Sequence, residues 1–344
     1  MRHSQLPILS RTMLFRRGIS ASLLALVVTL LSSCANISSP FGSNEPELER
    51  NILTGQVGSN GKVFAVKFDD TTYSHPQEGV EAADVVFITQ VEAGLTRLMG
   101  IYSSNYPEVL GPVRSARISD IDILAQFGKV GFIYSGAQSK LRPVLAEANL
   151  VNLSAERNPP TIYFNDPERT APYAMMVRLP LLLEKADDVE LVKSVGWEHG
   201  EISESALPVV DAKVNWPNAS YGLTWDAELA KFKLKFDGRE NLSKSGLPLG
   251  SDMMIVQVVN IYPSEYGDKF GGITPKSEVV GEGEAFLFRD GTVTKVSWSR
   301  ASATEPTIWL LENREVAKFA TGQVWIFLTD KAPEITYSEA TPAP

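Results

Sequence analysis

Apolar and basic residues alternate through "KVFAVKF" (62–68), the pattern of a half-buried β-strand. "ADVVFITQV" (83–91) is a β-branched run bounded by turn residues, and "TRLMGIYSS" (96–104) is another. "EAGL" between them carries a glycine for a tight turn, so the two runs are expected to form a hairpin. Downstream of "GPVRSAR" (111–117), Ser119, "DIDILAQF" and Gly128 read as N-cap, short helix and terminal glycine. Ile121, Leu124 and Ala125 share one face, and Asp120 and Asp122 lie in the first turn, where the helix dipole favours them. "KVGFIYS" (129–135) is the next strand, followed by a helical stretch from about Gln138 through "LRPVLAEANL". Strand, helix and strand in this order predict a right-handed βαβ unit. "TIYFN" (161–165), "DPERTAPY" (166–173) and a helix over "LPLLLEKA" (179–186) follow.

From about residue 205 the pattern changes. "KFKLKFDGR", "DMMIVQVVNIY", "GEAFLFRDGTVTKVSWSR" and "GQVWIFLTD" are strand patterns separated by Gly, Pro and Asp, and "RDG" (289–291) marks a hairpin turn. Phe286, Phe288, Trp298 and Trp325 are the expected core aromatics. The fold class is therefore α/β, a mixed sheet with a βαβ unit over 53–200, followed by a mostly β domain over 201–335. Each half is expected to bury its own core, with a disordered tail at 336–344.

The first 33 residues contain Arg2, Arg11, Arg16 and Arg17 and no acid, then the apolar run Ala21–Leu31. That run is too short to span a bilayer and suits a secretory signal. It ends in "LSSC", which resembles a bacterial lipobox: Cys34, the single cysteine of the chain, would become the lipidated first residue, with 34–52 as a flexible tether. Such a protein is held on the outer face of the cytoplasmic membrane. Without residues 1–33 the formal charge moves from −9 to −13. That excess argues against a nucleic-acid partner. A lone cysteine excludes an internal disulfide, and three histidines in all, His3, His75 and His199, disfavour a histidine-rich metal site. There is no Walker or dinucleotide fingerprint, so no cofactor is expected.

"VEAGLTR" (91–97), "GPVRSAR" and "DPERTAPY", in that order, with "FRDGTVTKVSWSR" and "GQVWIF" later, resemble the YerB-like lipoproteins of Gram-positive bacteria. Their two domains are the N- and C-terminal parts of DUF3048. The resemblance covers nearly all of the mature chain and implies a two-domain surface lipoprotein, but no reaction. Relatives commonly carry a histidine in the strand matching "FIYSGAQS" and another after the "AP" of "RTAP"; here Tyr134 and Tyr173 stand there.

In open α/β sheets, ligands bind beyond the carboxyl ends of the strands. If the strands before "PVRSAR" and "SGAQSK" are parallel, Arg114, Ser115, Arg117, Ser135, Gly136 and Ser139 open onto one edge beside a helix start. Guanidiniums suit phosphate or carboxylate. Both arginines face one spot if residues 114–118 turn; an extended chain sends them to opposite sides. Asp166 and Arg169, in a proline-flanked loop, complete the candidate ligand site. Against this, Asp69, Asp70, Glu92, Asp120 and Asp166 could hold the arginines in a structural network. Glu92 and Arg97 could pair across the hairpin. His75 reads as a loop residue. Binding of an anionic cell-wall ligand or envelope protein is the favoured reading. The alternatives are an enzyme acting on a cell-wall precursor, as a phosphotransferase or hydrolase, and a purely structural protein. The enzyme reading draws on a loose likeness to the LytR-CpsA-Psr phosphotransferases.

Overall fold

The computed structural model describes residues 48–268 and 271–338. The signal segment, Cys34, most of the tether and residues 339–344 lie outside the described residues. Among the described residues no helix is long and apolar enough to cross a membrane.

The strand Phe64–Asp69 (β1) is buried at every position, as strands covered on both faces are. Phe64, Val66 and Phe68 enter one core and Ala65 the other. Val85–Gln90 (β2) and Thr96–Tyr102 (β3) form the expected antiparallel hairpin, paired from Val85–Ile101 to Gln90–Thr96. Gly94, at φ +68°, makes the turn between them. β1 lies on the far side of β3.

Val109–Leu110 (β4) does not join this sheet. It pairs with Met175–Arg178 (β8), which also pairs with Tyr163–Asn165 (β7), in a separate three-stranded sheet. The helix Ile118–Leu124 (α1) follows, and then Val130–Ile133 (β5), which runs parallel to β1. The helix Leu141–Glu147 (α2) leads to Leu150–Asn152 (β6), parallel to β5. The βαβ unit is thus β5–α2–β6, one strand later than expected. The segment after β4 cannot extend a ladder, because Pro112 has no N–H to donate. It is held by two isolated bridges, Glu78–Gly111 and Phe68–Val113, and by single backbone bonds such as Asp69 N to Pro112 O. Leu179–Leu183 (α3) closes this half.

The second half is almost all strand, and its sheet continues that of the first. The strand Val324–Thr329 runs parallel to β2 on one side and to Met253–Val258 on the other. Gly281–Arg289, Thr292–Arg300, Leu207–Trp216, Ala219–Asp226 and Lys231–Phe236 follow in order. Both cores therefore mix the halves, which corrects the expectation of separate ones. One holds Phe68, Val86 and Leu98 with Tyr221, Phe232 and Phe288; the other holds Ile123, Phe127 and Leu141 with Ile255 and Ile326. The physical reason is that β2 is apolar on both faces and its edge is taken by a C-terminal strand. Phe286, Phe288, Trp298 and Trp325 are all buried, as expected.

Two boundaries move. Thr336 and Tyr337, assigned to the tail, belong to the strand Glu334–Tyr337, paired with Leu207–Trp216. Residues 48–52, assigned to the tether, are folded: Asn51 is buried, and its Nδ2 donates to Ser59 O (3.0 Å) and Ser103 Oγ (2.9 Å).

Candidate functional site

Parallel strands β1 and β5 end side by side, and a cleft of about 700 Å³ opens beyond them. Residues 113–116 run between the two ends. Arg114 N donates to Lys67 O and Ser135 N to Arg114 O. The expected turn at 114–118 does not form. The chain stays irregular until α1 begins at Ile118, and Arg117 is extended, at φ −130° and ψ 160°. Even so, Arg114, Ser115 and Arg117 all line the cleft, together with Gly136 and Ser139. Ser135 stands behind Ser115, with their hydroxyl oxygens 3.4 Å apart.

The two arginines have different surroundings. Arg117 is held on several sides: Nε lies 2.6 Å from Glu92 Oε1, a terminal nitrogen donates to Glu92 Oε2 (2.8 Å), and the other donates to Ala116 O (3.0 Å). Burial opposes the charge on Glu92, but the Arg117 guanidinium outweighs it and holds the carboxyl below its ordinary range. Glu92 therefore pairs with Arg117, not with Arg97 across the hairpin. Arg114 places Nε 2.6 Å from Asp69 Oδ2 and keeps a quarter of its side chain exposed. Among the described residues its terminal nitrogens have no hydrogen-bond acceptor.

From the sequence Arg97 is only a hairpin partner. It stands opposite Asp69 in the β1–β3 register and lines the cleft. One terminal nitrogen donates to Ser115 O (3.0 Å), and no carboxylate of the described residues is within ion-pair distance. Burial, then the Arg117 and Arg114 guanidiniums, lowers its pKa to about 9. An arginine so placed gains from any added negative charge. Beneath it Lys67, fully buried, meets Asp120 at 2.6 Å and donates to Thr89 Oγ1 (3.1 Å). Burial lowers the lysine pKa against the pull of Asp120. No local pattern identified Arg97; the signal was its register opposite Asp69, which only pairing reveals.

Four carboxylates line the cleft too, and all are engaged. Asp69 and Glu92 hold Arg114 and Arg117, Glu156 holds Arg142 (2.6 Å), and Asp268 accepts from Gly272 N. Opposite them, the amides of Gly136, Ala137, Gln138 and Ser139 donate to no protein acceptor among the described residues. α2 starts beyond these four residues, which line the cleft, and spans seven residues.

Asp166 and Arg169 lie elsewhere. Arg169 donates to Asp166 (3.2 Å), Ser74 O (2.8 Å) and Pro76 O, tying two loops together in the floor of a second pocket of about 570 Å³. Tyr173 lines both pockets, and the Arg114 guanidinium sits 5.8 Å from its ring centre. Tyr134 is instead buried, and burial raises its phenol pKa. Asp70, adjacent to Asp69, points to the opposite face. It accepts from Thr96 Oγ1 (2.6 Å) and Tyr221 OH (2.8 Å), with His75 Nε2 at 3.1 Å. His75 Nδ1 is 3.0 Å from Asn241 Oδ1, so both ring nitrogens are engaged. That histidine joins the two halves rather than forming a loose loop.

Fold and site together define a mixed α/β protein with an arginine-lined cleft at the carboxyl ends of parallel strands. Residues 53–192 match the family model described as the protein of unknown function (DUF3048) N-terminal domain, and residues 212–326 match its C-terminal domain. The chain belongs to this two-domain family. It is 32% identical over 85 residues to "Putative lipoprotein YerB" of Bacillus subtilis (strain 168), an alignment spanning a quarter of either chain. The crystal structure of YerB protein from Bacillus subtilis superposes with a TM-score of 0.72 at 18% identity, covering 84% of this chain and 99% of that one. This likeness supports the shared fold.

Proposed function

We propose that this chain is a surface lipoprotein, anchored at Cys34 on the outer face of the cytoplasmic membrane, that binds an anionic component of the envelope in the β1/β5 cleft. The lipobox and the name of its relative support the anchor. The observation that carries the binding reading is the set of donors around one cleft: the terminal nitrogens of Arg114, the guanidinium of Arg97, which bonds Ser115 O but no carboxylate, and four loop residues whose amides have no acceptor among the described residues. Arg117 and Arg169 are scaffold in this reading, and Asp166 belongs to the neighbouring loop.

The test is titration of the full-length protein in detergent with inorganic phosphate and pyrophosphate, followed by calorimetry. Binding is expected for the wild type. A charge-assisted hydrogen bond contributes about 1.5–3 kcal/mol, so Arg114→Ala should bind roughly 10- to 150-fold more weakly. Absence of binding by the wild type would reject the reading and leave the arginines as internal ion pairs.

A further inference from the structure

We propose that the anion held in the cleft is the phosphate of a sugar phosphate, whose sugar ring crosses Tyr173 and rests against the Tyr73–Tyr173 pair in the second pocket. This rests on the anion-binding reading above. Tyr173 is the shared wall of the two pockets, so a ligand anchored at Arg114 meets an aromatic surface next. Tyr73 stacks on Tyr173 with ring centres 5.4 Å apart at 28°, yet remains 76% exposed. A large aromatic side chain left so open, beside a concavity, is the kind of surface that binding covers.

The rim selects the ligand class. Lys244, Glu168 and Thr170 line the second pocket; Lys244 pairs with Glu168 at 3.4 Å and lies 3.7 Å from Asp166, so the rim presents an ion pair and a hydroxyl beside the aromatic face. A sugar ring presents C–H bonds on one face and hydroxyls at its edge, and so meets both surfaces. A nucleobase could stack on the same open ring face, but the ion pair and hydroxyl at the rim match the several hydroxyls along a sugar's edge. Arg169 is committed to Asp166 and two backbone carbonyls and forms the floor.

The probes are inorganic phosphate, glucose 1-phosphate and adenosine monophosphate, titrated into the full-length protein in detergent. Glucose 1-phosphate should bind at least tenfold more tightly than phosphate. Tyr73→Ala, at an exposed position that lines the second pocket and not the cleft, should remove that advantage and leave phosphate affinity unchanged. Tyr173→Phe should keep the advantage. If phosphate binds and glucose 1-phosphate binds no better, or Tyr73→Ala changes nothing, the sugar assignment is wrong and the anion site stands. Tighter binding of adenosine monophosphate would replace the sugar with a nucleobase. Failure of all three probes to bind would reject both.

Discussion

Glu92 and Arg117 show what a committed ion pair does at the scale of single residues. Both side chains are nearly buried and meet at 2.6 Å, and Thr274 Oγ1 also donates to the carboxylate. Removing Arg117 would strand Glu92 in a desolvated place, which typically costs about 3–5 kcal/mol. The carboxyl's folded pKa lies below its ordinary 4.5, so the unfolded chain takes up a proton first as pH falls. The pair's contribution is complete above about pH 5 and declines as the pH drops through the folded value. Melting temperature should therefore fall between about pH 5 and pH 3, and the fall should be shallower in Glu92→Gln than in the wild type. Equal slopes in the two proteins would mean that the pair carries no such load. That Arg117 is scaffold while Arg114 keeps free donors was not legible in "GPVRSAR", where the two look equivalent. The difference arises from Glu92, 25 positions upstream, which the hairpin turn delivers to Arg117.

At the scale of elements, short-range patterns were readable where a local interaction decides the structure. The β2–β3 hairpin follows from alternation and one glycine turn. Ser119 illustrates the opposite case. Before "DIDILAQF" it has the chemistry of an N-cap, but the helix starts two residues earlier, capped at Arg117, with Asp120 Oδ2 accepting from Arg117 N (2.7 Å). Ser119 Oγ is spent on Ser277 N (2.9 Å), in the Ile273–Ser277 strand of the second half. Lys276 reaches Asp122 of the same helix at 2.8 Å. Together these contacts fix the hairpin formed by Ile261–Gly267 and Ile273–Ser277 over α1, beside the cleft. Ser119→Ala would leave the buried Ser277 amide without its acceptor, a loss of about 1–3 kcal/mol. It should lower the melting temperature, while Ser139→Ala, at an exposed position, should not. Equal melting of Ser119→Ala and wild type would show that the hairpin is anchored by other contacts.

At the scale of the whole molecule, the change of pattern near residue 205 marks a real feature of the chain without marking a break in its core. The two family models end and begin at residues 192 and 212, and most of residues 200–208 are exposed. Pairing across that interval is long-range and leaves no local signature: "GQVWIFLTD" reads as a strand, but nothing in it names β2 as its neighbour. Since Val324–Thr329 lies between β2 and Met253–Val258, cutting the chain near 201–206 severs a connection on the surface and no strand pair of the shared sheet. Limited proteolysis should cleave in this loop first. The two fragments should then elute together on size exclusion and melt in one transition, because each supplies part of both cores. Separation of the fragments without denaturant, or two melting transitions, would show that the halves are independent bodies and that the parallel pairing of β2 with Val324–Thr329 does not bind them.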